Sequence, residues 1–231
     1  MFKRAVLPFL LIVTIAFSGA LQAKDIPAHN GLSIEAVDGA QLIGPPPENG
    51  SVEDQADLAV VLWMQRTRTT EQIAFAIETA DFSLETFAPI LSEELLSVNG
   101  AALQGLVDAA WKDIYPHYRS VKDTYARPRP FLRSPSVHPL VEPSKSPSYP
   151  SGHSTHAMFY GQVLADIFPD RAEELVAFAE KLGHARVVAG VHYPSDVIAG
   201  QKLGKAYAKA IKHDPGYAEG LSRVFASDIA N

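Results

Sequence analysis

Three short stretches of the chain combine cations, histidines and a carboxylate at spacings that could hold and attack an oxyanion. The first runs from Lys122 to Pro130, with Arg129 between two prolines. Residues that precede proline are pushed towards extended backbone, so a lysine near a helix end and an arginine just beyond it sit on a stiff frame. Arginine offers a planar two-pronged donor and lysine a point charge, a pair suited to gripping an anion. Read alone, the stretch equally fits a solvated basic helix end that complements the helix dipole.

The second stretch is Ser148-Tyr-Pro-Ser-Gly-His-Ser-Thr-His156. Proline, then Ser151 and Gly152, then an apolar-periodic run mark a helix N-terminus, where free amides and the positive dipole end face an anion. Gly152 lets backbone approach closely, the Ser151 hydroxyl can donate, and His153 falls in the first turn beside whatever is bound. An ordinary serine cap followed by surface histidines fits the same residues. The third stretch, Arg186 to Asp196, holds His192 just before Pro194. If Pro194 opens a helix, the Asp196 carboxylate can reach back to one imidazole nitrogen and leave the other free as nucleophile or base. Asp196 as a simple first-turn helix acid is the alternative. His153 and His156 share a helix face, but no His-Glu-x-x-His pattern or cysteine completes a zinc site. His29, His117, His138, His184 and His213 have no evident partners in sequence.

The elements that must carry these groups read as helices. Periodicity predicts helices at 51–66, 69–80, 84–97 and 101–125, with Pro116 kinking the last. Further helices are expected at 152–167, at 170–188 with an apolar stripe of Leu175, Phe178 and Leu182, at 194–212 and at 215–226. Residues Ala126 to Pro150 contain seven prolines and should form neither helix nor strand. No alternating strand pattern stands out, so the fold class is all-α: a single compact multi-helix domain over 51–231.

The 231 residues, 47% hydrophobic and 20% charged, suffice for one sizeable core. Residues 1–23 read as an export signal: Lys3 and Arg4, an apolar run from Ala5 to Phe17, then small residues that permit cleavage after Ala20 or Ala23. Residues 24–50, with Pro45 to Pro47, read as an extended Pro/Gly-rich arm. The absence of cysteine excludes thiol catalysis, thiolate metal sites and disulfides. The net charge of −6 becomes about −8 once Lys3 and Arg4 are removed, which disfavours a nucleic-acid partner. No second apolar run of spanning length follows, so no membrane association is expected after cleavage.

Taken together, the stretches resemble the signature of the acid phosphatase and type 2 phosphatidic acid phosphatase superfamily. Lys122 and Arg129-Pro130 fit its first part, whereas Arg127-Pro128 is out of register. Pro150-Ser151-Gly152-His153 fits the second, and Arg186, His192 and Asp196 the third, with Ala185 where the family has serine. The whole is similar to bacterial class A non-specific acid phosphatases. That resemblance implies an exported, periplasmic or secreted enzyme that acts on small phosphomonoesters, needs no metal or other cofactor, and often forms homo-oligomers. It also implies catalytic roles: His192 attacks phosphorus, Asp196 orients it, and His153 protonates the leaving oxygen. Lys122, Arg129, Ser151, Gly152 and Arg186 hold the phosphate, and activity peaks on the acidic side. Some phosphotransfer to other acceptors would accompany hydrolysis. Lipid or polyprenyl pyrophosphate phosphatases and vanadium haloperoxidases share these residues, and a non-catalytic phosphate binder would need only the cations and amides.

Overall fold

The computed structural model describes residues 37–91 and 93–226; the expected export signal and the first part of the arm lie outside the described residues. Within the stretch read as extended, one helical turn forms, α1 (Gly39–Ile43), capped by the Asp38 carboxylate on Gln41 N. It forms because the body holds it. The Tyr125 hydroxyl donates to Ala40 O at 3.0 Å, and the Tyr149 hydroxyl lies 3.1 and 3.0 Å from the Ile43 and Gly44 carbonyls.

Helices α2 (Val52–Thr67) and α3 (Thr70–Glu78) start at the caps the sequence offers, Ser51 and the Thr69–Gln72 capping box. The expected helix over 84–97 is instead a 3-10 turn (Leu84–Phe87), followed by a single long helix, α4 (Glu93–Tyr125). That helix runs through Asn99 and Gly100 without the break expected there, and Pro116 lies inside it. Its buried stripe of Leu103, Leu106, Val107, Ala110 and Ile114 explains the continuity. Each of the larger side chains gains roughly 1.5–3 kcal/mol on burial, more than the ~1 kcal/mol that a helical glycine costs.

The proline-rich stretch is irregular apart from one turn, α5 (Pro130–Arg133). Four helices follow at the expected places: α6 (Gly152–Ile167), α7 (Ala172–Val188), α8 (Pro194–Ile211) and α9 (Pro215–Ala226). Helix α6 is buried on nearly every side, with Thr155, Met158, Phe159, Val163 and Leu164 all inaccessible, and α7 and α8 pack along it. A helix apolar all round belongs at the centre of a bundle. The described residues contain helices and turns and no strand, so the molecule is all-α. None of these helices is long and apolar enough to cross a membrane.

The contact between α6 and α8 is set by two glycines. A Cβ on Gly200 would lie 2.5 Å from Ser151 O, and one on Gly204 would lie 2.4 Å from Thr155 O. Backbone meets backbone here, and no flexible side chain can yield. Gly204→Ala is therefore expected to lower stability by about 1–3 kcal/mol through overpacking. Urea unfolding measures this, and an unchanged midpoint would mean that α8 can move off α6 at no cost.

Candidate active site

Five chain segments bring chemistry to one cavity of about 330 Å³. Helix α4 delivers Lys122 in its last turn, and Ala126, in left-handed backbone (φ 45°), turns the chain sharply out of the helix. The extended segment that follows carries Arg129, the start of α6 brings Gly152 and His153, and the last turn of α7 brings Arg186. His192 lies just before α8, whose first turn holds Asp196. A bond from Ser151 N to Asp196 O at 2.9 Å ties the start of α6 to that of α8.

Six of the eight residues singled out in the sequence line this cavity: Lys122, Arg129, Gly152, His153, Arg186 and His192. The three cations are buried, and among the described residues none makes an ion pair. Lys122 Nζ donates to Pro150 O at 2.8 Å. Arg129 donates to Ser146 O, Ser146 Oγ and Val191 O at 2.9–3.0 Å. Arg186 donates to Ala76 O at 2.5 Å, while its Nε has no partner. Burial, with the Arg129 charge nearby, pushes the Lys122 ammonium down to about 7, and burial lowers Arg186 to about 10. Cations so desolvated gain from any anion that enters.

His192 Nδ1 lies 3.2 Å from Asp196 Oδ2, and its Nε2 lies 3.1 Å from an Arg129 terminal nitrogen. A guanidinium only donates, so Nε2 carries a lone pair and Nδ1 carries the proton shared with Asp196. Burial holds the imidazole down at about 3, against the pull of the Asp196 hydrogen bond and with help from Arg129 and Lys122. The ring is thus a free base across the mildly acidic range. His153 is held well below the usual imidazole range by burial, then by the charge of Arg186; it hydrogen-bonds the Ala80 backbone, and its Nε2 is unpartnered. Its neighbour His156 is lowered by burial to about 4.

Asp196 and Ser151 stand behind the wall. Ser151, expected to donate to the anion, has a fully buried hydroxyl that accepts from Ser154 N at 3.3 Å and lies 2.9 Å from Ser154 Oγ. It caps α6, and the Gly152 backbone reaches the cavity in its place.

The groups that hold Asp196 fall outside the three motif positions read from the sequence. Arg127, set aside as out of register, donates to Asp196 Oδ1 at 2.8 Å, to Asp54 at 3.1 Å, to Asp57 at 2.9 Å and to Ser195 Oγ at 2.8 Å. Arg133 pairs with Asp54 at 2.7 Å. Ser148 Oγ donates to Asp196 Oδ2 at 2.5 Å. Ser195 bonds Asp57 through both its amide and its hydroxyl. Arg127 and Arg129 therefore bracket the His192–Asp196 pair, one on the carboxylate and one on the ring, as residues two apart in extended backbone can. A signal for this cluster was present: Asp54 and Asp57 lie on the buried stripe of α2 with Val61 and Met64, where a carboxylate demands a partner.

Burial works to raise the Asp196 carboxyl, but hydrogen bonding to His192 and the Arg127 charge hold it below the usual range. Removing Arg127 reverses that balance for Asp196 and strips Asp54 and Asp57 of a counter-ion. Arg127→Met should cost about 3–5 kcal/mol at pH 7. In the variant the pKa values of Asp196 and Asp54 rise above their unfolded values, so the folded state binds the additional protons and the deficit shrinks as pH falls towards 5. Wild type alone moves the other way. Its depressed His192, His153 and His156 leave the unfolded state binding more protons below about pH 6.5, at up to about 1.4 kcal/mol per unit for each ring. Urea unfolding of both proteins at pH 7 and 5 measures the gap, and a constant gap would mean that Arg127 does not keep these carboxylates ionised.

Residues 96–219 match the PAP2 superfamily. The non-specific acid phosphatase of Salmonella typhi is 28% identical over 235 residues, covering 96% of this chain and 91% of its own. A lipid A 1-phosphatase from Rhizobium johnstonii is 44% identical over a shorter span of 69 residues, 30% of this chain and 28% of its own. Among solved structures, a transmembrane PAP2-type phosphatidylglycerolphosphate phosphatase from Bacillus subtilis superposes with a TM-score of 0.53 at 20% identity, over 84% of this chain and 98% of that one, a likeness of fold. All three motif stretches fall inside a matched region that covers more than half of the sequence, and the chain belongs to the PAP2 superfamily.

Proposed function

We propose that this PAP2-superfamily protein is an exported acid phosphatase, a hydrolase of small phosphomonoesters that works through a phosphohistidine on His192. The observation that carries the reading is the set of three buried cations, none of them in an ion pair, around an imidazole whose Nε2 lone pair meets Arg129 at the wall of the same cavity. Its relatedness to non-specific acid phosphatases over most of its length supports the substrate class.

Lys122, Arg129, Arg186 and the Gly152 amide take the non-bridging oxygens and the charge that builds on them. His192 Nε2 forms the P–N bond as the ester P–O bond breaks, and Asp196 balances the charge left on the ring through Nδ1. The leaving oxygen takes a proton from His153, which afterwards removes one from the water that cleaves the P–N bond and releases inorganic phosphate. Ser151 acts by capping α6 and holding its first amides in place.

The depressed pKa of His153 bears on where that first proton comes from. In the empty site the ring is neutral, so the proton enters with the substrate. A phosphate monoester keeps one proton below its second pKa of about 6, and transfer to His153 inside the cationic pocket gives the same complex as a dianion meeting a protonated ring. Lys122, lowered to about 7, loses its charge over a neighbouring range. Both ionisations reduce kcat/KM as pH rises above about 6, and an ester with a lower second pKa should show the fall at lower pH. A rate that climbs steadily to pH 9 would contradict this assignment.

The direct test is p-nitrophenyl phosphate hydrolysis at pH 5 to 7 in excess chelator. Wild type should turn over. His192→Ala should lose on the order of 10³-fold or more, and His153→Ala about 10²- to 10⁴-fold. Alkaline quenching of wild type with labelled substrate should trap phosphate on protein, and the His192→Ala variant should trap none. Turnover abolished by chelator, or undiminished in His192→Ala, would overturn the mechanism.

A further inference from the structure

A second cavity, of about 420 Å³, opens beside the anion pocket and shares Gly152 and His153 with it, while His192 lines the anion pocket alone. In-line displacement puts the leaving oxygen on the side of phosphorus opposite the attacking atom. His153, which meets that oxygen in the proposed mechanism, stands on the boundary between the two cavities. The rest of the substrate therefore extends into the second one.

Its walls are mostly rings. Trp111 stacks on His156 with centroids 4.1 Å apart and planes 12° from parallel. Phe82 closes against both His153 and His156 at 4.9 Å, and Tyr115 and Tyr118 continue the wall at 6.0 Å from one another. Tyr115 is exposed where the wall meets solvent. Each ring is held by its neighbours, so the surface offered to a ligand is pre-shaped and costs little to order. Charge is confined to Asp81 and Arg119, and Arg119 is already paired with Asp123 at 3.1 Å. His156 is neutral in the working range. Such a cleft rewards a flat, uncharged ring that can stack or meet the wall edge-on, and it discriminates poorly among short aliphatic groups.

We infer that the cleft formed by Trp111, His156, Phe82 and Tyr115 is the leaving-group subsite and that it selects phosphomonoesters carrying an aromatic ring near the ester oxygen. The inference rests on the phosphatase reading above. Trp111 and Tyr115 are the specificity-determining residues, since they contribute wall surface without touching the phosphate pocket.

The experiment compares 2-phenylethyl phosphate with n-butyl phosphate, two alkyl esters of similar leaving-group chemistry that differ in the ring. Wild type should favour the phenylethyl ester about tenfold in kcat/KM, from the ~1–1.5 kcal/mol of a ring-on-ring contact. Trp111→Leu should bring that ratio towards one. Tyr115→Ala, at an exposed position that folding tolerates, should lower it about two- to threefold, mainly through KM. A structural defect would depress both esters equally and leave the ratio intact. A wild-type ratio near one, or a ratio unmoved in both variants, would overturn the subsite while butyl phosphate turnover, lost in His192→Ala, leaves the phosphatase reading standing. No turnover of either ester by wild type would remove that reading and the subsite with it.

Discussion

Asp196 accepts hydrogen bonds from Arg127, Ser148, His192 and the Tyr193 amide at the same time. A carboxylate with no solvent exposure is tolerable only when its lone pairs are filled, and filling them brings three stretches of the chain to one point. The Tyr193 amide starts α8, His192 is set in its tautomer, Ser148 fastens the end of the proline-rich stretch, and Arg127 reaches across to α2. The pocket's three cations stay out of ion pairs with Asp196 because this neighbouring cluster keeps its negative charge fully occupied. Were Asp196 less tightly held, it would be free to swing towards Lys122 or Arg129 and neutralise the pocket from within.

The two arginine–proline pairs show how charge is sorted. Arg127 and Arg129 are two residues apart on one extended strand of backbone, and both are buried. One faces three carboxylates and the other faces backbone carbonyls, a serine hydroxyl and the His192 lone pair. The first is spent on structure and the second remains available to an incoming anion. The distinction follows from what each side chain meets.

Helix positions were legible wherever apolar periodicity and caps agreed: α6 to α9 begin and end within two residues of where Ser151, Pro194 and the stripe of α7 placed them. The reading failed where local cues and tertiary packing disagreed. Separate helices were expected to end at 97 and start at 101, yet the buried stripe from Leu103 onward, with Leu96 packed on the same core, goes with a single helix through Gly100. Pro45 to Pro47 suggested an extended arm, yet hydroxyls from Tyr125 and Tyr149, distant in sequence, hold a turn at Gly39–Ile43. The cavity residues were legible because each sat in a short run of unusual chemistry. Asp54, Asp57 and Arg127 were not, because they look like ordinary helix-start acids and a misplaced motif arginine until the partners are seen. The ring-lined cleft was hidden for the same reason: Phe82, Trp111 and His156 come from separate stretches and carry no shared pattern.

The acid cluster also has a consequence for the order in which the polypeptide can become native. Asp57 precedes Arg127 by 70 residues and Ser195 by 138. Until Arg127 and Arg133 come into place, burying the α2 stripe strands two negative charges in a dry interior, so the segments before them cannot settle into a stable intermediate of their own. Contacts of such long range slow folding, and the bond from Ser195 completes the shell of Asp57 only when the start of α8 docks.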